Sequence, residues 1–213
     1  MSPADPAPAL LASRLSALLA HDMAGALQGL KAALALLDDS SDAVLQAEAR
    51  ALAQQSAAEL EARLAFCRAA FAGRGLEGPA ELERLCRFAF AGRRAELRWA
   101  ALEPDAPGPL RQAALTFAQL AATALTAGGE ATLWLHRPAG TWRARLEAVG
   151  PRLRVDGEGL AGLRRQQPTP GAPGRWAAGA FIAQSIREAG GALEVELGET
   201  SLMLEARLPG SGD

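Results

Sequence analysis

The sequence predicts an α+β protein: an N-terminal antiparallel helical hairpin that forms a dimeric four-helix bundle, followed by an α/β sandwich domain. Three observations predict this order. Leucines recur at helical spacing over two long segments, a short polar break separates those segments, and strands alternate with helices after a Gly-containing break at residues 73–79. We therefore assign residues 1–75 to a hairpin domain and residues 76–213 to an α/β domain.

The first predicted helix runs from Ala9 to Leu37 and contains no proline. Its apolar residues step by three or four positions, which places them on one face of an α-helix. We expect this face to point into the core of the hairpin. The stripe consists of Leu15, Leu19, Met23, Leu27, Leu30, Leu34 and Leu37.

The second predicted helix, from Ala43 to Ala72, follows a polar break whose Asp and Ser residues favour turns and helix caps. Because the break is short, the two helices must pack antiparallel. Two helices of this length cannot bury both apolar stripes alone, so we predict a homodimer that completes a four-helix bundle. The second stripe consists of Leu45, Leu52, Ser56, Leu60, Leu64, Cys67 and Phe71.

The rest of the chain is predicted to form a mixed or antiparallel sheet that helices cover on one face. Glycine pairs end two of the helices, and Pro138-Ala139-Gly140 turns the chain between two strands. Asp156–Leu160 is interpreted as an ordinary turn. The predicted helices are Glu81–Phe90, Leu110–Leu125 and Arg175–Ala189, and the predicted strands are Ala95–Ala100, Glu130–His136, Trp142–Val149, Ala192–Leu197 and Leu202–Leu208.

Composition excludes several classes of function. The net charge of −2 argues against a nucleic-acid partner, which usually requires a basic surface. No uninterrupted apolar run reaches the roughly 18 residues of a membrane span, and the Pro-rich N-terminus lacks the pattern of a signal peptide. Cys67 and Cys86 do not form a CxxC pair, and His136 has no metal-ligand spacing around it, so no metal site is expected. We expect a cytoplasmic protein.

His21 is the most informative residue of the first helix. With about 100° of rotation per residue, its side chain points roughly 180° from the centre of the leucine stripe. We therefore expect the imidazole to face water among mostly small residues. A neutral imidazole is a nucleophile towards phosphorus, and a phosphorylated ring nitrogen is a good leaving group. The acidic neighbour Asp22 is a candidate for orienting the ring.

A lone histidine on a helix surface is usually a solvated residue, and only the local motif favours a function here. The segment His21-Asp22-Met23-Ala24-Gly25-Ala26-Leu27 resembles the H-box of sensor histidine kinases. The chain resembles the ChpT-like histidine phosphotransferases of alphaproteobacteria more closely. That likeness also includes Ser13-Arg14, Gly29-Leu30, and a small-residue helix followed by Gly190-Gly191 and a final hairpin.

The resemblance implies a homodimeric phosphorelay intermediate. In such a protein the histidine accepts a phosphoryl group from the receiver domain of a hybrid kinase and donates it to response regulators. The second domain then resembles a kinase ATP-binding domain that has lost nucleotide binding. The chain contains no asparagine, the residue that holds Mg²⁺ in such kinases, and has Gln112 and Gln119 in the corresponding helix. We expect this chain to bind no cofactor, with Mg²⁺ on the partner receiver domain.

Two departures from the H-box bear on activity. Ala26 stands where a proline often kinks the helix. Gly25 stands where many kinases have a polar residue that orients a hydrolytic water, which puts phosphatase activity in doubt.

The helical wheel also predicts where a receiver domain docks. It should cover the face around His21 and contact Arg14, Leu18, Gly25 and Gln28. Two alternatives stay open: a kinase-like protein, active or degenerate, and a dimeric docking module in which His21 is incidental.

Overall fold

Two long helices form a hairpin at the N-terminal end of the chain. The computed structural model describes residues 7–39, 41–76, 78–169 and 174–210. Helix α1 spans Pro8–Asp39 and helix α2 spans Ala43–Ala72. The side chain of Asp42 accepts a hydrogen bond from the Val44 N–H at 2.8 Å, and Gly73 ends α2 with a positive φ of 63°. The predicted helical hairpin is confirmed.

Small residues bring the two helices of the hairpin together. Ala26 and Ala33 of α1 and Ala49 and Ser56 of α2 are buried. A Cβ atom on Gly29 would lie only 3.0 Å from the Ser56 Oγ, so the two backbones approach closely at this point. The leucine stripes are therefore only partly buried inside the hairpin. Five of their members are between 41% and 49% exposed: Leu27, Leu34, Leu45, Leu52 and Leu64.

A five-stranded mixed sheet forms the second half of the chain. Its strand order is β1-β2-β3-β5-β4; β1 and β2 run parallel, and the other neighbours run antiparallel. The α+β class predicted from the sequence is confirmed. The strands are β1 Ala95–Leu102, β2 Gly129–His136, β3 Trp142–Val149, β4 Ala192–Leu197 and β5 Ser201–Leu208.

Four helices accompany the sheet and cover one of its faces. Side chains of β2 and β3 alternate between buried and half-buried positions, as expected for a sheet with one packed face. Helix α4 lies on the packed side and is buried along most of its length. The helices are α3 Pro79–Phe90, α4 Gly108–Ala124, α5 Gly157–Leu163 and α6 Arg175–Glu188.

Helix α5 differs from the sequence prediction, which interpreted Asp156–Leu160 as an ordinary turn. Asp156 is instead the N-cap of α5, and its side chain accepts a hydrogen bond from the Glu158 N–H at 3.0 Å. The glycines of α5 allow contact with the backbone of α6: a Cβ on Gly179 would lie 2.4 Å from the Gly159 carbonyl oxygen. Glycine disfavours helices locally, so the pattern suggested a turn, whereas the packing against α6 stabilises a helix.

None of the helices in the described ranges combines the length and the apolar character that crossing a bilayer demands.

Candidate functional site

His21 lies near the middle of α1, and its side chain is exposed. It borders a cavity of about 440 Å³ between the helical hairpin and the α/β domain. Helices α1 and α2 form one wall of this cavity, and α4 and the first turns of α6 form the other. We call it the interdomain cavity. Its apolar lining includes Phe66, Phe71, Phe88 and Leu120.

The N-terminus of α6 packs directly on α1, one turn before His21. A Cβ atom on Gly174 would lie 2.8 Å from the Arg14 carbonyl oxygen and 3.0 Å from the Leu18 backbone nitrogen, so only glycine fits there without a shift. Leu11 of α1 also packs against Trp176 in a small apolar cluster. These contacts fix the position of Arg175, which directly follows Gly174, close to His21.

The α6 contact changes one part of the predicted docking face. Leu18 is only 9% exposed, so the prediction that it lies on an open surface around His21 is wrong. Arg14 is half-buried, whereas Gly25 and Gln28 are exposed. The helical wheel describes the hairpin alone, and it could not show that the second domain covers the first turns of α1.

Asp22 lies on the α2 side of the helix. Burial, as the largest cause, and the negative charge of Asp22 raise the pKa of the Cys67 thiol to about 11. Consecutive residues of an α-helix point about 100° apart, so Asp22 and His21 face different directions. A role for Asp22 in orienting the imidazole stays a prediction.

Three arginines from different elements also line the interdomain cavity: Arg63 of α2, Arg93 in the turn between α3 and β1, and Arg175 at the start of α6. We call them the arginine cluster. Partial burial, followed by the positive charges of Arg175 and Arg63, lowers the pKa of Arg93. The sequence analysis missed this cluster because its members are 30 or more positions apart and share no motif.

The two glutamines of α4 have different surroundings. The Gln112 side chain donates a hydrogen bond to the Ala70 carbonyl oxygen at 2.9 Å and thereby ties α4 to α2. Gln119 lines the interdomain cavity, as does Thr116, whose buried hydroxyl has no hydrogen-bond partner among the described residues. Gln112 therefore has a structural contact, and the polar groups of α4 that reach the cavity are Thr116, Gln119 and Thr123.

Within the described residues no cluster of three or more His, Cys, Asp or Glu side chains could hold a metal ion. Cys86 is buried, and this burial raises the pKa of its thiol, so it is a structural residue of the core.

The comparison with known families is decisive for the α/β domain. Residues 79–201, more than half of the chain, match the family described as the histidine phosphotransferase C-terminal domain. The chain belongs to the histidine phosphotransferase family. This assignment confirms the resemblance to ChpT-like histidine phosphotransferases that the sequence motifs indicated. No curated protein sequence matches the chain.

The chain is also similar to several solved structures. A bacterial phosphotransferase of known structure is 20% identical, with a TM-score of 0.79 over 96% of this chain and 98% of its own. The blue-light-activated histidine kinase EL346 of Erythrobacter litoralis is 15% identical over 90% of this chain and 59% of its own, with a TM-score of 0.48. The histidine kinase AdeS of Acinetobacter baumannii is 13% identical over 90% of this chain and 98% of its own, with a TM-score of 0.46.

Proposed function

We propose that this histidine phosphotransferase is a cytoplasmic phosphorelay protein that carries a phosphoryl group on His21 between the aspartates of receiver domains. The observation that supports this proposal most is the position of His21. It is exposed in the middle of a long helix, with small neighbours such as Ala24 and Gly25 that leave room for another protein. The chain has only two histidines, and His136 ends strand β2 and pairs with Arg143 in the sheet.

The proposed chemistry requires only a nucleophilic ring nitrogen. A lone pair of the neutral imidazole attacks the phosphorus of the aspartyl phosphate, the O–P bond breaks, and its electron pair stays on the aspartate carboxylate. The other ring nitrogen then releases its proton. In the second step this nitrogen regains a proton, the carboxylate of another receiver domain attacks, and the N–P bond breaks with its electron pair returning to the ring, so that neutral imidazole is restored. No ATP is consumed, and the Mg²⁺ ion that assists both steps is expected on the receiver domain.

The predicted partners are the receiver domain of a hybrid kinase and the receiver domains of response regulators. Of the docking residues derived from the sequence, Gly25 and Gln28 are exposed beside His21, and Arg14 is partly accessible. We keep these three residues in the proposed docking face and leave out Leu18, which the contact with Gly174 buries.

Phosphotransfer from a receiver domain distinguishes the proposal from its alternatives. The chain should acquire label from a receiver domain phosphorylated on its aspartate, and it should acquire none from labelled ATP and Mg²⁺ under the same conditions. Acid-labile, base-stable label on the chain measures the product. Labelling from ATP would favour a kinase, and a chain that accepts label from neither donor would favour a docking module.

We further propose that two copies of the chain associate through the exposed leucines of the hairpin. Leu27 and Leu34 are 47% and 48% exposed and lie seven residues apart, so they share one stripe of α1. They lie about 120° or more around the helix from His21, which leaves the histidine accessible in a dimer. Exposed apolar stripes on both helices of a hairpin are what a four-helix bundle buries.

We expect the double change Leu27→Glu/Leu34→Glu to convert a dimer into a monomer, because it places charges in an apolar interface. Size-exclusion chromatography with light scattering measures the mass, which should fall from twice 22.1 kDa to 22.1 kDa. Leu197→Glu is the matched control, since Leu197 is 47% exposed on strand β4, away from the hairpin. A double variant that keeps the dimer mass would place the interface elsewhere.

A further inference from the structure

Positive charge is concentrated around His21. The arginine cluster lines the interdomain cavity, and Arg14 and Arg154 line an adjoining pocket that His21 also borders. Among the described residues, the linings of these two pockets include five arginines and three carboxylates, those of Asp22, Glu59 and Asp156. The described surroundings of His21 thus carry excess positive charge, although the whole chain has a net charge of −2.

The carboxylates only partly compensate the arginine cluster. Glu59 pairs with Arg63 at 2.7 Å on the surface of α2. The Arg175 Nη1 donates to the Asp156 Oδ2 at 3.4 Å, a long distance for a charge-assisted hydrogen bond. No described carboxylate forms an ion pair with Arg93, whose Nε instead donates a hydrogen bond to the Ala89 carbonyl oxygen at 2.9 Å. Arg93 and Arg175 therefore keep donors for an additional anion.

Close arginines without sufficient counter-charge repel one another, and an anion placed between them relieves the repulsion. Burial is the largest cause of the lowered pKa of Arg93, and the charges of Arg175 and Arg63 lower it further. A phosphoryl group on an imidazole carries about 1.5 to 2 negative charges and three acceptor oxygens, comparable to other protein phosphates. The planar fork of a guanidinium group binds such oxygens through two parallel hydrogen bonds.

We infer that Arg93 and Arg175 bind the phosphoryl oxygens of phosphorylated His21 and hold the carried group against the α/β domain between two transfers. The inference rests on the proposed function and adds a task for the second domain. The packing of Gly174 on α1 brings Arg175 into both pockets that His21 borders, and the turn between α3 and β1 contributes Arg93 to the lining of the interdomain cavity. Both are positioning residues, since the N–P bond is made and broken at His21.

The test uses the full chain with His136→Gln, which leaves His21 as its single histidine. Phosphoramidate phosphorylates the ring: its own N–P bond breaks, ammonia leaves, a new N–P bond forms to the free imidazole nitrogen, and the other ring nitrogen releases its proton. The ³¹P NMR signal of this phosphohistidine is then followed from pH 9 downwards. Its midpoint reports the pKa at which the phosphohistidine takes up a proton, on the ring or on the phosphoryl group.

Neighbouring cations disfavour this protonation, so they lower the pKa of the phosphohistidine. We expect Arg93→Gln/Arg175→Gln to raise the midpoint by about one pH unit relative to the parent. Arg93→Lys/Arg175→Lys keeps both charges and should keep the low midpoint. Arg94→Gln is the matched control, because Arg94 is exposed and, unlike its neighbour Arg93, does not line the interdomain cavity. This change should leave the midpoint unchanged.

Equal midpoints in the parent and in the Arg93→Gln/Arg175→Gln variant would overturn the inference. This result is independent of the proposed function, because phosphoramidate labels the histidine without a receiver domain. A parent chain with the displaced midpoint but no transfer from a phosphorylated receiver domain would support the arginine contact and contradict the relay. Normal transfer with equal midpoints would support the relay and contradict the arginine contact.

Discussion

His21→Gln should abolish labelling of the chain by a phosphorylated receiver domain. Glutamine keeps a polar side chain of similar length on the exposed face of α1 but has no ring nitrogen with a lone pair for attack on phosphorus. Because the reaction has no other nucleophile in the proposed mechanism, we expect a loss of at least about 1,000-fold in the transfer rate, equivalent to about 4 kcal/mol of transition-state stabilisation. Rapid-quench measurements of labelled chain against time determine this rate.

The control for His21→Gln is His136→Gln, which removes the other histidine of the chain. His136 lies at the end of β2 on the other side of the α/β domain's core, so its replacement should leave transfer unchanged. The mass in solution and the far-UV circular dichroism of His21→Gln should match those of the parent, because the His21 side chain is exposed. Residual labelling above one tenth of the parent rate would mean that another residue carries the group.

Most helices and strands of the fold could be predicted from the sequence, because the residues that start and end them act locally. Helix α2, strand β3 and strand β4 begin and end at the predicted residues, since Asp42, Gly73 and the turn residues act on their immediate neighbours. Helix α5 could not be predicted, because its stability comes from contact with α6, which is about 20 residues away in the sequence. Local propensity was overridden there by packing.

The candidate site was predictable only in part for the same reason. The exposure of His21 follows from the periodicity of α1 alone, and the structure agrees with it. The burial of Leu18 and the gathering of Arg63, Arg93 and Arg175 depend on how the α/β domain packs on the hairpin. A helical wheel relates only the residues of one helix, so it cannot show this arrangement, because each arginine belongs to a different element.

Gly25→Trp should block transfer from a receiver domain while the chain stays folded. Gly25 is four residues after His21 and therefore lies on the same face of α1. A side chain at this position leans towards the N-terminus of the helix, which brings an indole ring over the turn that contains His21. Apart from the adjacent residues and the backbone of α1, no described atom lies within 4 Å of a Cβ built on Gly25, so the first atom of the new side chain meets open space.

We expect the transfer rate of Gly25→Trp to fall by about 100-fold, because the indole occupies the space that a partner needs to bring its aspartate to the imidazole, and misplacement by about 1 Å has effects of this size. Gly25→Ala is the control for loss of glycine: it should keep the parent rate and stabilise the helix by about 1 kcal/mol, measured by urea unfolding. Ala32→Trp is the control for bulk: this exposed position lies on the face of His21, away from Leu27 and Leu34, and is eleven residues after His21, or about 16 Å further along α1.

The two controls separate the causes of a lower transfer rate. If Gly25→Ala slows transfer as much as Gly25→Trp, flexibility of the helix at Gly25 matters and not the space above it. If Ala32→Trp slows transfer equally, the receiver domain covers a much longer part of α1 than the surroundings of His21. Transfer at the parent rate in Gly25→Trp would show that the receiver domain approaches His21 from the side of Ala17 and Arg14, where the α/β domain also lies, so that both domains would form the docking face.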